Sequence, residues 1–324
     1  MKISFKNFFT IEALALALNR MAPLKTFVMD LVFPEPVRKR HPFDKLTQAD
    51  LGLPSKNIPL ITRGSASYAL SPDPNAIRLI DPANLTPSIT LSAADCNRII
   101  SLAPGAKQVL FDNYIDTLRK SVRKSTEALA CQAITGKISY DLRVAEGVFD
   151  LYEVNFGAPK TVTIAKKWNE AGTNFGDIVA GIAAITGDLQ ESSDGTDIVH
   201  LVKTDVFAAL ANKAASNKDL IKVAEDHILV GTSKFYLCNS RYYSYKDKAY
   251  KEAIPDKTVL TIARDDAFSL FYCALDSFDA SFAGAPFFVR EQILGDPEGI
   301  KFIGQSRPMP VPNVQAIRRA QVLT

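Results

Sequence analysis

The stretch QVLFDNYIDTLRKSVRKSTEALACQAITG, Gln108–Gly136, decides how the rest of the chain is read. It runs without interruption from Asp112, a plausible N-cap, to Gly136, which stands where a helix closes in the left-handed conformation. Ile115, Leu118, Val122 and Leu129 fall on one face, with small Ser125 filling the gap, while Arg119, Lys120, Arg123, Lys124 and Glu127 face elsewhere. This spacing predicts one long helix of roughly 35 Å at about 1.5 Å per residue, longer than the mean helix and able to cross the molecule as a spine. The alternative is an ordinary core helix that frays at one end.

Upstream, the chain turns proline-rich. Phe27, Met29, Leu31, Val32 and Phe33 are followed by Pro34, Pro36 and Pro42, so residues 22–54 read as an extended arm carrying large apolar side chains. The cluster Arg38, Lys39, Arg40, His41 could meet phosphate, but reads first as a solvated basic loop. Residues 57–91 read as two extended runs about a turn at Ser71, Pro72, Asp73, Pro74 and Asn75. Two strands alone are marginal in water, so this hairpin either projects onto a neighbouring molecule or docks on the chain's own sheet. At the start, Lys2 and Lys6 precede an apolar run as in a signal peptide. A short amphipathic helix with Thr10 as N-cap and Phe9 and Leu14 as a staple is the better reading.

Downstream, a helix is expected from Ser92 to about Ser101 ahead of the long one, and after it the period changes to two. Ile138, Tyr140 and Leu142, then Phe149, Leu151 and Val154, then Val162 and Ile164, predict an antiparallel meander with a turn at Glu146 and Gly147. Helices over 175–185 and 206–215 alternate with short strands near 197–202, 228–230, 235–238 and 259–262, which makes residues 178–265 an α+β unit. Extended runs over 282–290, 300–305 and 314–323 finish the chain, and the last is expected to dock with the unit of the long helix.

The composition narrows the function. The chain has 324 residues, 47% of them hydrophobic, enough for a sizeable core and for two domains. A net charge of +3 from 38 basic and 35 acidic residues excludes a general nucleic-acid magnet, so any basic function is local. Cys96, Cys131, Cys238 and Cys273 show no zinc or redox spacing and read as buried thiols in a reducing compartment. No run is long and apolar enough to span a membrane. Only His41, His200 and His227 are available, with no HExxH pair, no GxSxG, no GxGxxG and no P-loop before Gly136-Lys137. Asp150 with Glu153 and Asp265 with Asp266 stand at odd separations, which on a strand point to opposite faces. Glu225 and Asp226 before His227 read as a solvated turn. No catalytic, metal or cofactor site is expected.

An arm, a hairpin, a crossing helix, a meander and a separate α+β unit offer more contact surface than one core requires, which suits interlocking with copies under closed symmetry. Three blocks carry a family likeness: Gly136-Lys137 with Phe149-Asp150, Glu153-Val154 and Gly157; Trp168 with Asp177-Ile178; and Pro255-Asp256 and Thr258, Tyr272-Cys273, Asp276, Gly295-Asp296-Pro297, Gln305-Ser306 and Pro308. Their order resembles the major capsid protein of lambda-type tailed phages, with the Hong Kong 97 fold, an α+β architecture. The resemblance implies an N-terminal arm (1–54), an extended loop (55–94), the spine and peripheral domain (95–176), an axial domain (177–265) and a return to the peripheral domain (266–324).

It also implies pentamers and hexamers of an icosahedral virion shell around double-stranded DNA, assembled in the host cytoplasm, with a decoration protein, scaffold and portal as further partners. At the subunit interface the expected residues are Phe27, Leu31 and Phe33 of the arm, Arg63 and Gly64 of the loop, and Arg119, Lys120 and Glu127 of the spine; Arg123 and Lys124 are expected to face DNA. Arg318 and Arg319 make the tail more basic than the lambda pattern and leave open which surface it faces. An encapsulin-type compartment and a monomeric α+β enzyme are the rival readings.

Overall fold

The computed structural model describes residues 11–47, 50, 79–214, 220–224 and 226–324; the loop positions Arg63 and Gly64 and the turn near Ser71 lie outside the described residues. The long helix spans Pro104–Ala133, 30 residues, and so reaches about 45 Å. It begins eight residues before the expected cap. Pro104 occupies the first helical positions, where its fixed φ and missing N–H cost nothing, and no side chain caps the start. Asp112 lies inside the helix, accepting from Gln108 at 2.8 Å and pairing with Arg20. The stop is as expected: Gly136 has φ +91°, and its amide donates to the Ala133 carbonyl at 2.8 Å.

This helix feeds three clusters. Phe111, Ile115 and Leu118 pack with Leu14, Phe288 and Phe302; Leu129 and Ala133 pack with Ile138, Val154 and Met309; Ala130, Cys131 and Ile134 pack with Val28, Phe33, Leu201 and Leu270. All four cysteines are buried free thiols, and burial raises each above its ordinary pKa, Cys273 to about 12.

The helix leads into one hairpin, Lys137–Ala145 with Val148–Asn155, in antiparallel register with an irregularity between Arg143 and Ala145. The expected third strand of a meander does not form there. Instead Lys160–Thr161 runs parallel to Arg318 and Arg319 in a seven-stranded sheet. That sheet is ordered 160–161, 317–321, 258–263, 198–202, 233–237, 227–230, 221–223. Helices Phe175–Gln190 and Thr204–Ala214 pack against it. The first starts with a reciprocal capping box, Asn174 and Asp177, a strong local signal for its position.

The C-terminal run joins this sheet, and its Ala316 and Ile317 pack in one core with Ala130, Cys131 and Ile134. Ile317–Gln321 is an interior strand of this sheet, hydrogen-bonded to Thr258–Ala263, because Ile317, Ala320 and Val322 are apolar and bury in its core. Arg318 is not part of a basic tail. It is buried, donating to the Asp188 carboxylate and carbonyl, to Ser192 and to the Gln315 carbonyl.

The arm is also corrected. Phe27–Leu31 is a short helix, and Val28, Met29, Val32 and Phe33 are fully buried in the chain's own core. Pro34 and Pro36 follow that helix and end it; they do not hold the segment extended. Arg38–Arg40 then pairs in parallel with Ser269–Tyr272, whose other edge carries Pro308–Val311. Of the returning run of the expected hairpin, Ser88–Ser92 docks on the chain's own sheet, with Leu91 opposite Ile300. The helix Ala93–Ile100 follows with its own capping box at Ser92 and Asp95.

Candidate subunit interface

The residues expected on the spine face a partner within the same chain. Glu127 projects from the long helix, and its two carboxylate oxygens accept from the Val28 and Met29 amides at 2.7 and 2.8 Å. Those are first-turn N–H groups of Phe27–Leu31, whose N-cap Thr26 supplies no side-chain bond. One turn earlier, Arg123 donates to Thr26 Oγ1 at 2.8 Å and pairs with Asp30, which also receives Arg38 and the Thr26 amide. Burial disfavours the Asp30 anion, but these hydrogen bonds hold its carboxyl below the ordinary range. Arg119 donates to the Ala22 carbonyl and to Asp116, while its Nε is buried without a partner. The spine thus clamps the arm of its own subunit.

Several of the residues expected at an interface have partners within the chain. Phe33 is fully buried and touches no solvent, and Phe27 and Leu31 are partly buried against the same core. Arg123 is held by Asp30 and is not a free cation for DNA. Lys120 remains exposed in an ion pair with Asp116, and Lys124 is exposed with no ion-pair partner among the described residues. His41 is buried, its Nε2 3.1 Å from the Lys45 carbonyl, so the basic run beside it forms a strand and no phosphate loop. Asp265 accepts from the Thr196 and Asp197 amides and Asp266 from Ser193, which makes both structural. A polar cleft lined by Lys203, Thr204, Asn239, Arg241, Glu252 and Asp256 has Lys203 locked between Glu252 and Asp256. Among the described residues no group of His, Cys, Asp and Glu could hold a metal.

Apolar side chains are also left exposed among the described residues. The hairpin 137–155 and the hairpin Arg241–Ser244 with Ala249–Glu252 meet through Asp141, which accepts from the Tyr245 amide at 2.5 Å. Their rings form a seam: Phe149 stacks on Tyr245 at 5.6 Å, and Tyr243 packs edge-on against Tyr245 and Tyr250. Val144, Val148 and Tyr250 of this seam are exposed.

A second feature is sharper. Phe278 is 89% exposed at the tip of a tight turn, with the ring of Phe282 5.3 Å away. Ser281 and Phe282 both have positive φ, +51° and +56°, a conformation that costs roughly 1–2 kcal/mol per non-glycine residue. The turn is anchored by buried Leu275 and Ala280 and by Gly284, where a Cβ would sit 2.2 Å from the Tyr272 carbonyl. Sequence reasoning missed this pair because it read 282–290 as an extended run bent at Gly284 and Pro286, a run that starts at Phe282 and leaves Phe278 out. The available signal was two phenylalanines four apart, with Asp276 before the first and Asp279 between them.

A family model described as phage major capsid protein E matches residues 10–322. A search of curated proteins finds no match. The structure is similar to that of a prophage protein of E. coli CFT073 assigned as a capsid protein, with TM-score 0.67 and 16% identity over 97% of this chain and 99% of that one. It also resembles the capsid of an empty GTA particle, with TM-score 0.51 and 10% identity over 94% and 93%. A phage-related protein of Bordetella bronchiseptica RB50 matches with TM-score 0.50 and 7% identity over 97% of both chains.

Proposed function

The chain belongs to the phage major capsid protein E family, a structural family, and from that premise we propose that its copies assemble in the host cytoplasm into pentamers and hexamers of a closed shell around double-stranded phage DNA. The observation that carries this reading is the match of the family model over residues 10–322. The exposed apolar seam and the Phe278 tip support it, because apolar surface left on one subunit is covered by another.

In this reading the seven-stranded sheet and its two helices form the axial unit, and the long helix with the hairpin 137–155 forms the spine and peripheral unit. The loop bearing Arg63 and Gly64 reaches a neighbouring spine at Lys120, the exposed member of the residues expected there. Lys124 is the residue offered to packaged DNA, through non-specific phosphate contact. Electron microscopy and sedimentation of the purified chain test the proposal: hollow particles are expected, and a 35.5 kDa monomer at every concentration overturns it. Deleting residues 57–78 is expected to abolish particles while leaving a folded subunit.

A further inference from the structure

The aromatic tip at Phe278 and Phe282 has a counterpart elsewhere on the chain. A cleft of about 230 Å³ opens beside the long helix, lined by Leu18, Leu24, Arg119, Val122, Tyr272 and Phe287 among others. Apolar cavities of about 150 Å³ take up benzene, so this one has room for a phenyl ring. Its lining mixes apolar side chains with two arginines. Arg119 and Arg123 line it, each already paired with a carboxylate, Arg119 with Asp116 and Arg123 with Asp30, but the buried Arg119 Nε has no acceptor.

The tip has the opposite character. From Leu275 to Val289 there is no basic residue; Asp276 and Asp279 flank Phe278, both exposed, and Asp276 is paired with Arg307 while Asp279 has no ion-pair partner among the described residues. An aromatic anchor with acidic neighbours and an arginine-edged apolar cleft are complementary in shape class and in charge. Buried aromatic and arginine groups are also the pair that most often carries the energy of an interface.

We propose that the Phe278–Phe282 tip of one subunit inserts into the cleft beside the long helix of a second copy. Phe278 fills the cleft over Val122, and Asp279 supplies the acceptor that Arg119 lacks. Tip and cleft are different patches of one surface, so the contact is head-to-tail, the kind that repeats around a ring until it closes. The left-handed backbone at Ser281 and Phe282 has a purpose on this account: it holds a turn that leaves Phe278 89% and Phe282 51% exposed.

The inference rests on the shell reading, and its test separates the two. Phe278→Ser with Phe282→Ser is expected to keep the circular dichroism spectrum and melting temperature of the wild type while losing particles in electron microscopy. In a second arm, Leu24→Cys and Asp279→Cys are combined in one chain and oxidised after assembly; a ladder of multiples of the subunit mass is expected on a non-reducing gel. If the serine variant forms particles at wild-type yield, or the cysteine variant forms particles with no ladder, the tip faces something other than this cleft and the pairing is wrong although the shell reading stands. If the wild-type chain forms no particles, both fall together.

Discussion

Glu127 illustrates how a charge legible as surface can be structural. Ionic residues at helical spacing on a long helix read as solvent-facing, yet this carboxylate closes a short helix 98 and 99 residues upstream. Glu127→Ala removes both acceptors and is expected to cost about 1–2 kcal/mol in urea unfolding, the scale of a lost helix cap. Glu127→Gln keeps one acceptor and recovers part of it. His200 makes a second residue-scale prediction. Its ring is buried, stacked on Phe235 at 4.4 Å, with Nδ1 2.8 Å from Thr261 Oγ1, and burial pushes its pKa down to about 3. The unfolded chain binds this proton near pH 6.5 and the folded chain refuses it, so stability falls as pH drops below 6.5. The loss amounts to roughly 2 kcal/mol at pH 5. Asp188, held below the carboxylate range by Lys160 and Arg318, gives up its contribution only at lower pH, because its ordinary value is already 3.8. Comparing urea midpoints at pH 7 and pH 5 should therefore show a slope that His200→Gln removes.

At the scale of elements, what was legible in the sequence were the features with local causes. The long helix, the hairpin after Gly136, and the two later helices follow from periodicity, capping residues and a glycine. What was not legible depended on distant partners. Phe27–Leu31 is too short to announce itself, and it exists because Glu127 caps it and a core waits for Val28 and Met29. The strand Ile317–Gln321 joins the seven-stranded sheet because Arg318 finds Asp188 across the chain, which no neighbouring residue foretells. The Phe278 turn needs two non-glycine residues in the left-handed region, a choice that propensity argues against. Gly136 is the element-scale test. With φ +91° and a Cβ that would lie 2.0 Å from the Gly157 carbonyl, Gly136→Ala combines backbone strain with a backbone clash. It is expected to cost at least about 2 kcal/mol and to loosen the hairpin, seen as faster amide exchange at Phe156, whose amide donates to the Gly136 carbonyl.

For the whole molecule, under the proposed shell reading, the placement of the long-helix cations separates folding of the chain from DNA packaging. Arg123→Glu would set a carboxylate against Asp30 and is expected to unfold the arm, so it cannot report on DNA. Lys124→Glu leaves the clamp intact; shells of normal appearance with reduced DNA content are expected, read from the absorbance ratio of purified particles. One rod also serves three apolar clusters, from Phe111 near one end to Ile134 just past the other. Heat should therefore melt these parts in a single calorimetric transition, since none can come apart without withdrawing support from the next. A push delivered at the hairpin end would likewise travel along the rod to the far cluster, so in the proposed shell neighbours would feel one another's strain through the subunit between them.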